Sequence, residues 1–366
     1  MLPRAPEGGS ATPHAAAAPA PQAPASLRRW VEGIEGTFDL AAGVGLATRR
    51  LRLAGEVVQL RAAGPAMLEQ LWPAFAHLED ASGAEPALTV NLWDSESSGV
   101  AHPPLPRTDA NEPRGAVYYA AEPPLQVAYQ PGHSLMSAFD AESASAWFWC
   151  ASAANLPFWE PAAPIRQIMH WWLTDRGLML LHGAAVGTPA GGVLLVGRGG
   201  SGKSTCALAS LASDLLFAGD DYVAARPAPD PWVYSLYSSG KLEPDHARLL
   251  PHLPRPRFHG DEAADEKSVF YVQDRFPGHT CEGFALRAVL VPRVAGAKPR
   301  VLPLEPGGAF RALAPSTLLQ LHPARPEAMA EMARLLQSVP TFAFEVGGDI
   351  YEIPKAIERL LNELPT

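Results

Sequence analysis

The stretch GVLLVGRGGSGKST, residues 192–205, constrains the fold of this chain more than any other segment. Its apolar run predicts a buried strand, and residues 197–204 then fit the pattern G-x-x-x-x-G-K-[ST]. The small residues that follow, TCALASLAS, predict a helix. A strand, a glycine-rich turn and a helix in this order indicate an α/β fold with a turn suited to binding phosphate.

Each part of the turn has a physical role in phosphate binding. Glycines let successive backbone N–H groups converge on phosphate oxygens, which a Cβ atom would obstruct. A helix that begins at Lys203 adds the positive end of its dipole, Lys203 reaches the β- and γ-phosphates, and Ser204 offers its hydroxyl to Mg²⁺. The predicted nucleotide contacts are Gly197, Arg198, Gly199, Gly200, Ser201, Gly202, Lys203, Ser204 and Thr205.

A dinucleotide-binding turn is the rival interpretation. Gly197, Gly199 and Gly202 also satisfy G-x-G-x-x-G, and Asp220 follows at about the spacing of a ribose-binding acid. The Gly-Lys-Ser-Thr run separates the two, because a dinucleotide helix gains nothing from a lysine at that point. A plain glycine-rich turn would explain the glycines but not the lysine and serine together. The sequence therefore favours a phosphate loop.

Two adjacent carboxylates, Asp220 and Asp221, end the apolar run LLFAGDD that follows the loop helix. Like charges side by side repel and must be paired or solvated, so a solvated turn is one explanation. A divalent cation beside the pair is the other explanation, and the two acids could then have different roles. Asp220 would hold Mg²⁺ together with Ser204, and Asp221 would accept a proton from an incoming hydroxyl. The sequence alone leaves these two roles interchangeable.

Three blocks in order, LLHGAAVG, LLVGRGGSGKST and LLFAGDDYV, resemble the catalytic domain of HPr kinase/phosphorylase. More closely, the chain resembles the HPr-kinase-like serine kinases that are often found beside peptide-modification and lasso-peptide genes. Its phosphate loop is also similar to that of the ATP-dependent phosphoenolpyruvate carboxykinases. The resemblance covers roughly residues 165–366. It implies ATP and Mg²⁺ as cofactors, and catalytic roles for His182, Lys203, Asp220 and Asp221, with the histidine near the aspartates to tune or relay the proton.

Downstream residues give weaker signals. Lys241 and Glu243, in SGKLEPD, are candidates for a phosphate contact and a second metal contact, but a solvated loop explains them equally well. Lys267 is similar and receives no role. The chain has no counterpart of the Glu-Ile-Arg-Gly segment of true HPr kinases, and its first half does not match the amino-terminal domain of the bacterial enzyme. HPr itself is therefore a poor candidate for the acceptor.

Composition narrows the class of protein. The 366 residues are 47% apolar and 18% charged, as expected for a globular chain with a sizeable core. A formal net charge of −9 argues against a nucleic-acid partner. Three widely spaced cysteines fit a reducing cytoplasm, and no apolar run has the roughly 20 residues of a membrane span. The expected location is the cytoplasm, and self-association is left open.

Three regions are predicted along the chain. Residues 1–26 form an alanine- and proline-rich disordered tail, and residues 27–162 form a smaller α/β or α+β domain with a role in substrate recognition as one option. Residues 163–366 form the α/β catalytic domain, with a P-loop and an HPr-kinase-like fold.

The predicted function is that of an ATP- and Mg²⁺-dependent kinase that phosphorylates a serine on a peptide or small protein. An ATP-binding module that only regulates or hydrolyses is the main alternative. A dinucleotide oxidoreductase is the third.

Overall fold

The computed structural model describes residues 27–102, 110–111, 118–259, 267–318, 320–321, 323 and 325–365. The predicted tail over 1–26 lies outside these ranges. The described residues form a mixed α/β protein with two large sheets and one small two-stranded sheet. Within these ranges, no helix combines the length and the apolar character that a membrane crossing requires.

The first half of the chain forms one sheet with a helix on each face. Its elements are, in chain order, α1 (Leu27–Ala41), β1 (Leu46–Leu53), β2 (Glu56–Ala63), α2 (Ala66–Phe75), β3 (Leu88–Asp94), α3 (Ser95–Ser98), β4 (Ala110–Asn111), β5 (Tyr118–Glu122), β6 (Leu125–Gln130), β7 (Leu135–Asp140) and β8 (Ser145–Cys150). The strand order is β1-β2-β3-β8-β7-β6-β5-β4, with β2, β3 and β8 parallel to one another. The other neighbouring pairs are antiparallel, so the sheet is mixed.

Strand β8 shows how this sheet uses both faces. The aromatic-dense run SAWFWC predicts a buried strand, and β8 is that strand. Side chains alternate along it, so Phe148 joins the core cluster around α2 while Trp147 and Trp149 join the cluster around α1. Both faces are covered, which explains why polar residues are scarce in this run.

The second half forms the larger mixed sheet and the small sheet. Its elements are α4 (Trp159–Ala162), α5 (Arg166–Asp175), β9 (Met179–Leu181), β10 (Gly183–Thr188), β11 (Gly191–Val196), α6 (Lys203–Ala209), β12 (Leu216–Gly219), β13 (Val223–Arg226), β14 (Trp232–Tyr234), β15 (Ser239–Leu242), α7 (Pro244–Arg248), β16 (Ser268–Tyr271), β17 (Gly283–Arg293), β18 (Arg300–Pro303), α8 (Pro306–Leu318), α9 (Pro326–Ser338), β19 (Thr341–Glu345) and α10 (Glu352–Glu363). The order in the larger sheet is β12-β10-β11-β17-β14-β13-β9, with β19 beside β17 and β18 beside β19. Strands β15 and β16 form the small sheet.

Four strands of the larger sheet end at the same edge. Strand β17 is parallel to both β11 and β19, and β12 runs in the direction of β11 because both are antiparallel to β10. The carboxyl ends of such strands form the crevice where open α/β sheets bind ligands. This edge therefore carries the glycine-rich turn after β11 and the two aspartates after β12.

The apolar run LMLLHGAAVG forms two strands rather than one. Strand β9 pairs with β13, whereas β10 pairs with β11 and β12, and His182 lies between β9 and β10. The chain thus passes at His182 from one strand position of the sheet to another. An apolar run does not reveal such a change, because both strands are equally buried.

One of the hydrophobic clusters spans both halves of the chain. A single cluster of buried side chains includes Leu71 and Phe75 from the first half and Trp172 and Tyr237 from the second. The Ser238 backbone N–H also donates to the Ala74 carbonyl over 2.8 Å. The predicted division between residues 162 and 163 falls between α4 and α5, and it remains a prediction.

His77 contributes a pH-dependent contact between the halves. Its Nε2 lies 2.6 Å from Ser235 Oγ, and burial lowers the pKa of the imidazole to about 3. The unfolded chain takes up a proton near pH 6.5, but the folded chain does not, so stability is lost as the pH falls below that value. We expect this residue to account for a loss of about 2 kcal/mol between pH 8 and pH 5.

Urea unfolding of wild type and His77→Gln at both pH values checks this. Glutamine can hydrogen-bond to Ser235 but does not titrate, so the variant should lose less stability on acidification. His246→Gln, at an exposed histidine, serves as the control. Equal acid sensitivity of wild type and His77→Gln would contradict the prediction.

Candidate active site

The glycine-rich turn lies between the fully buried strand β11 and helix α6. Gly200 and Gly202 have φ of 75° and 103°, in the left-handed region that glycine adopts without strain. A Cβ atom built on Gly199 or Gly200 would meet nothing within 4 Å, so the crest of the turn faces open space. The predicted nucleotide-contacting residues thus form a turn with room above its backbone.

Lys203 folds back over this turn. Its Nζ donates to the carbonyls of Gly197 at 2.6 Å and of Arg198 at 3.3 Å, and the residue is only 7% exposed. Burial lowers its pKa, while Asp220 and Asp221 act in the opposite direction. The ammonium is therefore held at the mouth of the turn, within the electrostatic influence of both acids.

Asp220 is completely buried at the end of β12. Its Oδ2 accepts the backbone N–H of Lys241 at 3.0 Å, whereas its Oδ1 has no hydrogen-bond partner among the described residues. Burial and the neighbouring Asp221 raise its pKa, and the Lys241 N–H and the Ser204 hydroxyl act to lower it. A buried carboxylate oxygen without a partner is costly unless something else completes its environment.

A magnesium ion fits that description. Ser204 and Asp220 are the metal ligands predicted from the sequence, and the unpartnered Oδ1 is a hard oxygen of the kind Mg²⁺ prefers. No cluster of three or more His, Cys, Asp or Glu residues suited to a metal occurs in the part of the chain that the structure describes. Such a cluster is not required, since Mg²⁺ at phosphate sites takes one or two protein ligands together with phosphate oxygens and water.

Asp221 has a different environment from its neighbour. Its φ of 69° is unusual for a non-glycine residue, and its side chain is 19% exposed. Oδ1 lies 3.0 Å from His182 Nε2, and Oδ2 forms an ion pair with Lys241 Nζ. Burial acts to raise its pKa, but Lys241 and then His182 outweigh that effect and hold the pKa well below its usual range. Asp221 is therefore an ionised carboxylate next to a histidine and a lysine.

His182 and Lys241 reach Asp221 from different elements. His182 follows β9, donates its backbone N–H to Thr317 Oγ1 at 3.2 Å, and lies with its ring centroid 5.4 Å from that of Tyr222. Lys241 comes from β15 of the small sheet. The structure thus brings together His182, Asp221 and Lys241, the last of which the sequence could not separate from a solvated loop residue.

The other two weak candidates pair with each other. Lys267 Nζ lies 3.5 Å from Glu243 Oε1, and both side chains are more than a third exposed. Lys267 still contributes, with Lys241, to lowering the pKa of Lys203. Their ion pair is the arrangement expected of a solvated face, so neither gains a role from its contacts.

Sequence reasoning missed a group behind Asp221. The guanidinium of Arg166 lies 5.1 Å from the Tyr222 ring centroid and donates from Nη1 to the Tyr222 hydroxyl at 3.3 Å. The same hydroxyl hydrogen-bonds to Gln320. Buried Glu160 accepts the N–H of Ile165 at 2.7 Å, immediately before Arg166. A cation over a tyrosine next to the left-handed Asp221 supports the turn that carries the acid.

Replacing Arg166 by methionine should destabilise the protein by about 2 kcal/mol, since a largely enclosed cation–π contact is lost. The loss should grow with pH. Burial raises the pKa of Glu160 and Arg166 opposes it, so the variant raises that pKa further. When the pKa of Glu160 is higher in the folded than in the unfolded protein, stability falls as the pH rises through that range. Urea unfolding at pH 5 and pH 8 measures this, with Arg28→Met, at an exposed arginine, as control. A smaller loss at pH 8 than at pH 5 would contradict it.

No protein-family model and no curated protein matches this chain. Among solved structures, a match is found with the Hpr(Ser) kinase/phosphatase from Coxiella burnetii, at 11% sequence identity and a TM-score of 0.27. The match covers 50% of this chain and 94% of that one. Values this low describe at most a distant likeness of fold and say nothing about function.

Proposed function

We propose that this protein is an ATP- and Mg²⁺-dependent kinase that transfers the γ-phosphate to a serine hydroxyl of a peptide or small protein. One observation carries the proposal. The glycine-rich turn with Lys203 and the acid pair Asp220 and Asp221 lie at the same edge of one sheet, and the two acids have different partners. The choice of serine follows the sequence resemblance rather than any contact.

The glycine-rich turn would bind the nucleotide. Its open backbone N–H groups would bind the phosphates, and Lys203 would exchange its carbonyl contacts for phosphate oxygens. Ser204 and Asp220 would hold Mg²⁺, which neutralises charge that develops on the transferring phosphoryl group. The unpartnered Asp220 Oδ1 supports this assignment.

Asp221 would act on the acceptor hydroxyl. The acceptor oxygen bonds to the γ-phosphorus as the bond to the β-phosphate bridging oxygen breaks, the hydroxyl proton passes to the Asp221 carboxylate, and ADP leaves. Asp221 is ionised and partly exposed, so an incoming hydroxyl can reach it, whereas Asp220 is fully enclosed. His182, 3.0 Å from Asp221, orients the carboxylate and can pass the proton on.

A plain ATPase is the second candidate. It needs one metal-anchoring acid, and it would leave the contacts of Asp221 with His182 and Lys241 without a use. The dinucleotide alternative gains no support from Lys203, whose ammonium lies over the turn where a dinucleotide-binding turn has no need of charge.

The deciding experiment incubates the protein with terminally labelled ATP, Mg²⁺ and a lysate of its host. Label on a peptide or protein, absent with Lys203→Ala, is the expected result and gives the acceptor by its mass. Release of free phosphate alone, also with purified candidate peptides, would favour the ATPase. A complete lack of ATP consumption would overturn the kinase and ATPase assignments together.

A further inference from the structure

Asp221 stands at the apex of a γ-turn. The Tyr222 N–H donates to the Asp220 carbonyl at 2.8 Å, and Asp221 between them has a φ of 69°. A hydrogen bond between residues two apart around a positive φ defines a γ-turn that is rare and strained. Such conformations persist only where the surrounding structure holds them, and they are concentrated at functional sites. The acid proposed as the base therefore has a backbone conformation that its neighbours must maintain.

The γ-turn lies where two strand pairs of the larger sheet meet. Strand β12 pairs with β10 and β13 pairs with β9, and the chain passes from β12 to β13 through residues 220–222. His182 lies at the matching passage from β9 to β10, and the Gly183 N–H donates to the Asp221 carbonyl at 3.1 Å. The two passages are thus bonded to each other, with His182 on one and Asp221 on the other.

The γ-turn determines where the two carboxylates point. Successive side chains of an extended strand point to opposite faces, so an extended backbone would separate neighbouring acids. Here Asp220 accepts the Lys241 backbone N–H and Asp221 pairs with the Lys241 ammonium, so both acids face one residue. The backbone reversal at Asp221 permits this arrangement. A change in the turn would therefore redirect the Asp221 carboxylate.

The side chain of Tyr222 anchors the last residue of the γ-turn in the core. Tyr222 is fully buried, and its hydroxyl accepts a hydrogen bond from Arg166 Nη1 at 3.3 Å and donates one to Gln320 Oε1. Its ring lies beside that of His182, with 5.4 Å between the ring centroids. Tyr222 therefore holds one end of the turn and contacts the histidine that pairs with Asp221.

One segment of the chain binds both the histidine and the tyrosine. Thr317, near the end of α8, accepts the His182 backbone N–H at 3.2 Å, and Gln320 follows two residues after the helix ends. Because Gln320 accepts from the Tyr222 hydroxyl, this segment holds His182 and the γ-turn relative to each other.

We propose that Tyr222, held by Arg166 and Gln320, is a positioning residue that maintains the γ-turn and directs the Asp221 carboxylate at the acceptor hydroxyl. The inference rests on the proposed function, since it assumes that Asp221 accepts the proton of the acceptor. Tyr222 is fully buried, so it acts through Asp221 and not by contact with a substrate.

Tyr222→Phe tests the proposal, because it removes the hydroxyl that bonds to Arg166 and Gln320 but keeps the buried ring. The assay uses terminally labelled ATP, Mg²⁺ and host lysate as the source of acceptor. The transfer rate at saturating ATP should fall about ten- to a hundredfold, while the ATP concentration at half-maximal rate stays as in wild type. Tyr271→Phe is the matched control. It removes a buried hydroxyl that donates to the Pro161 carbonyl at 3.0 Å, and it should keep the wild-type rate.

A double-mutant cycle tests whether Tyr222 acts through Asp221. Asp221→Asn removes the proposed base, so adding Tyr222→Phe to it should cause no further fall in the single-turnover rate. Equal fractional losses in the wild-type and Asp221→Asn backgrounds would mean that Tyr222 acts on another part of the protein. That result would refute the inference.

Gln320→Met provides a second variant if Tyr222→Phe does not fold, because Gln320 is exposed. It removes the acceptor of the tyrosine hydroxyl and should lower the rate about tenfold, whereas Gln337→Met, at an exposed glutamine of α9, should not. A wild-type rate for Tyr222→Phe, or for Gln320→Met in its place, would refute the positioning role and leave the proposed function intact. Absence of transfer by the wild-type protein would overturn the proposed function and this inference with it.

Discussion

Lys203→Ala should lower the rate of phosphoryl transfer by about a hundred- to a thousandfold, the cost of removing one charged contact to a transferring group. The lysine is the only charged side chain that hydrogen-bonds to the glycine-rich turn within the described residues. If the turn binds ATP as proposed, alanine would leave the phosphates without their main protein cation. Initial rates with saturating ATP measure the effect, and calorimetry with ATP separates lost binding from lost transfer.

The matched control is Lys355→Ala, which removes an exposed lysine on α10 that pairs with Glu352. It should leave the rate unchanged. Because Lys203 also bonds to its own turn, thermal unfolding of both variants should accompany the assay. A folded Lys203→Ala protein with wild-type turnover would refute the phosphate-loop assignment.

Asp221→Asn should lower the transfer rate by about a hundred- to ten-thousandfold and leave the affinity for ATP nearly unchanged. An amide keeps a hydrogen bond to His182 but cannot accept the acceptor proton, and it loses the ion pair with Lys241. Binding should survive because Lys203, Ser204 and Asp220 are untouched. Single-turnover rates and calorimetry on the same preparation measure the two effects.

Asp39→Asn, at an exposed aspartate of α1, controls for a general effect of lost charge. Asp220→Asn should give the opposite pattern, with weakened binding of ATP in Mg²⁺, because it alters the proposed metal ligand. A normal rate for Asp221→Asn would move the base to Asp220 or remove it from the mechanism.

The parts of the site within a continuous motif were predictable from the sequence. Residues 197–204 follow one strand and begin one helix, so local geometry alone places their backbone. Asp220 and Asp221 end the next strand, and parallel strand ends meet at one edge. The distance between His182 and Asp221 agrees with the proximity that the family resemblance implied. The catalytic roles of these residues remain predictions.

The parts that depend on distant segments were not predictable. Lys241 lies on β15 of the small sheet and forms an ion pair with Asp221 at the end of a strand in another sheet, a contact that no local pattern predicts. Arg166 and Tyr222 are 56 positions apart, and the amphipathic pattern of α5 gives no reason to single out the arginine. Strand and helix periodicities report which residues are buried, but not which buried residues meet.

The hydrophobic cluster that spans the two halves has a consequence for how this chain can evolve. Boundaries between separate domains commonly fall in exposed linkers that few contacts cross, so each domain keeps its own core. Here Leu71 and Phe75 pack in the same cluster as Trp172 and Tyr237, so neither half presents a finished surface to a new partner. Substitutions on the two sides must be matched. Exchanging either half alone would expose the apolar side chains that this cluster buries, so we expect the two halves to fold and to tolerate exchange only as one unit.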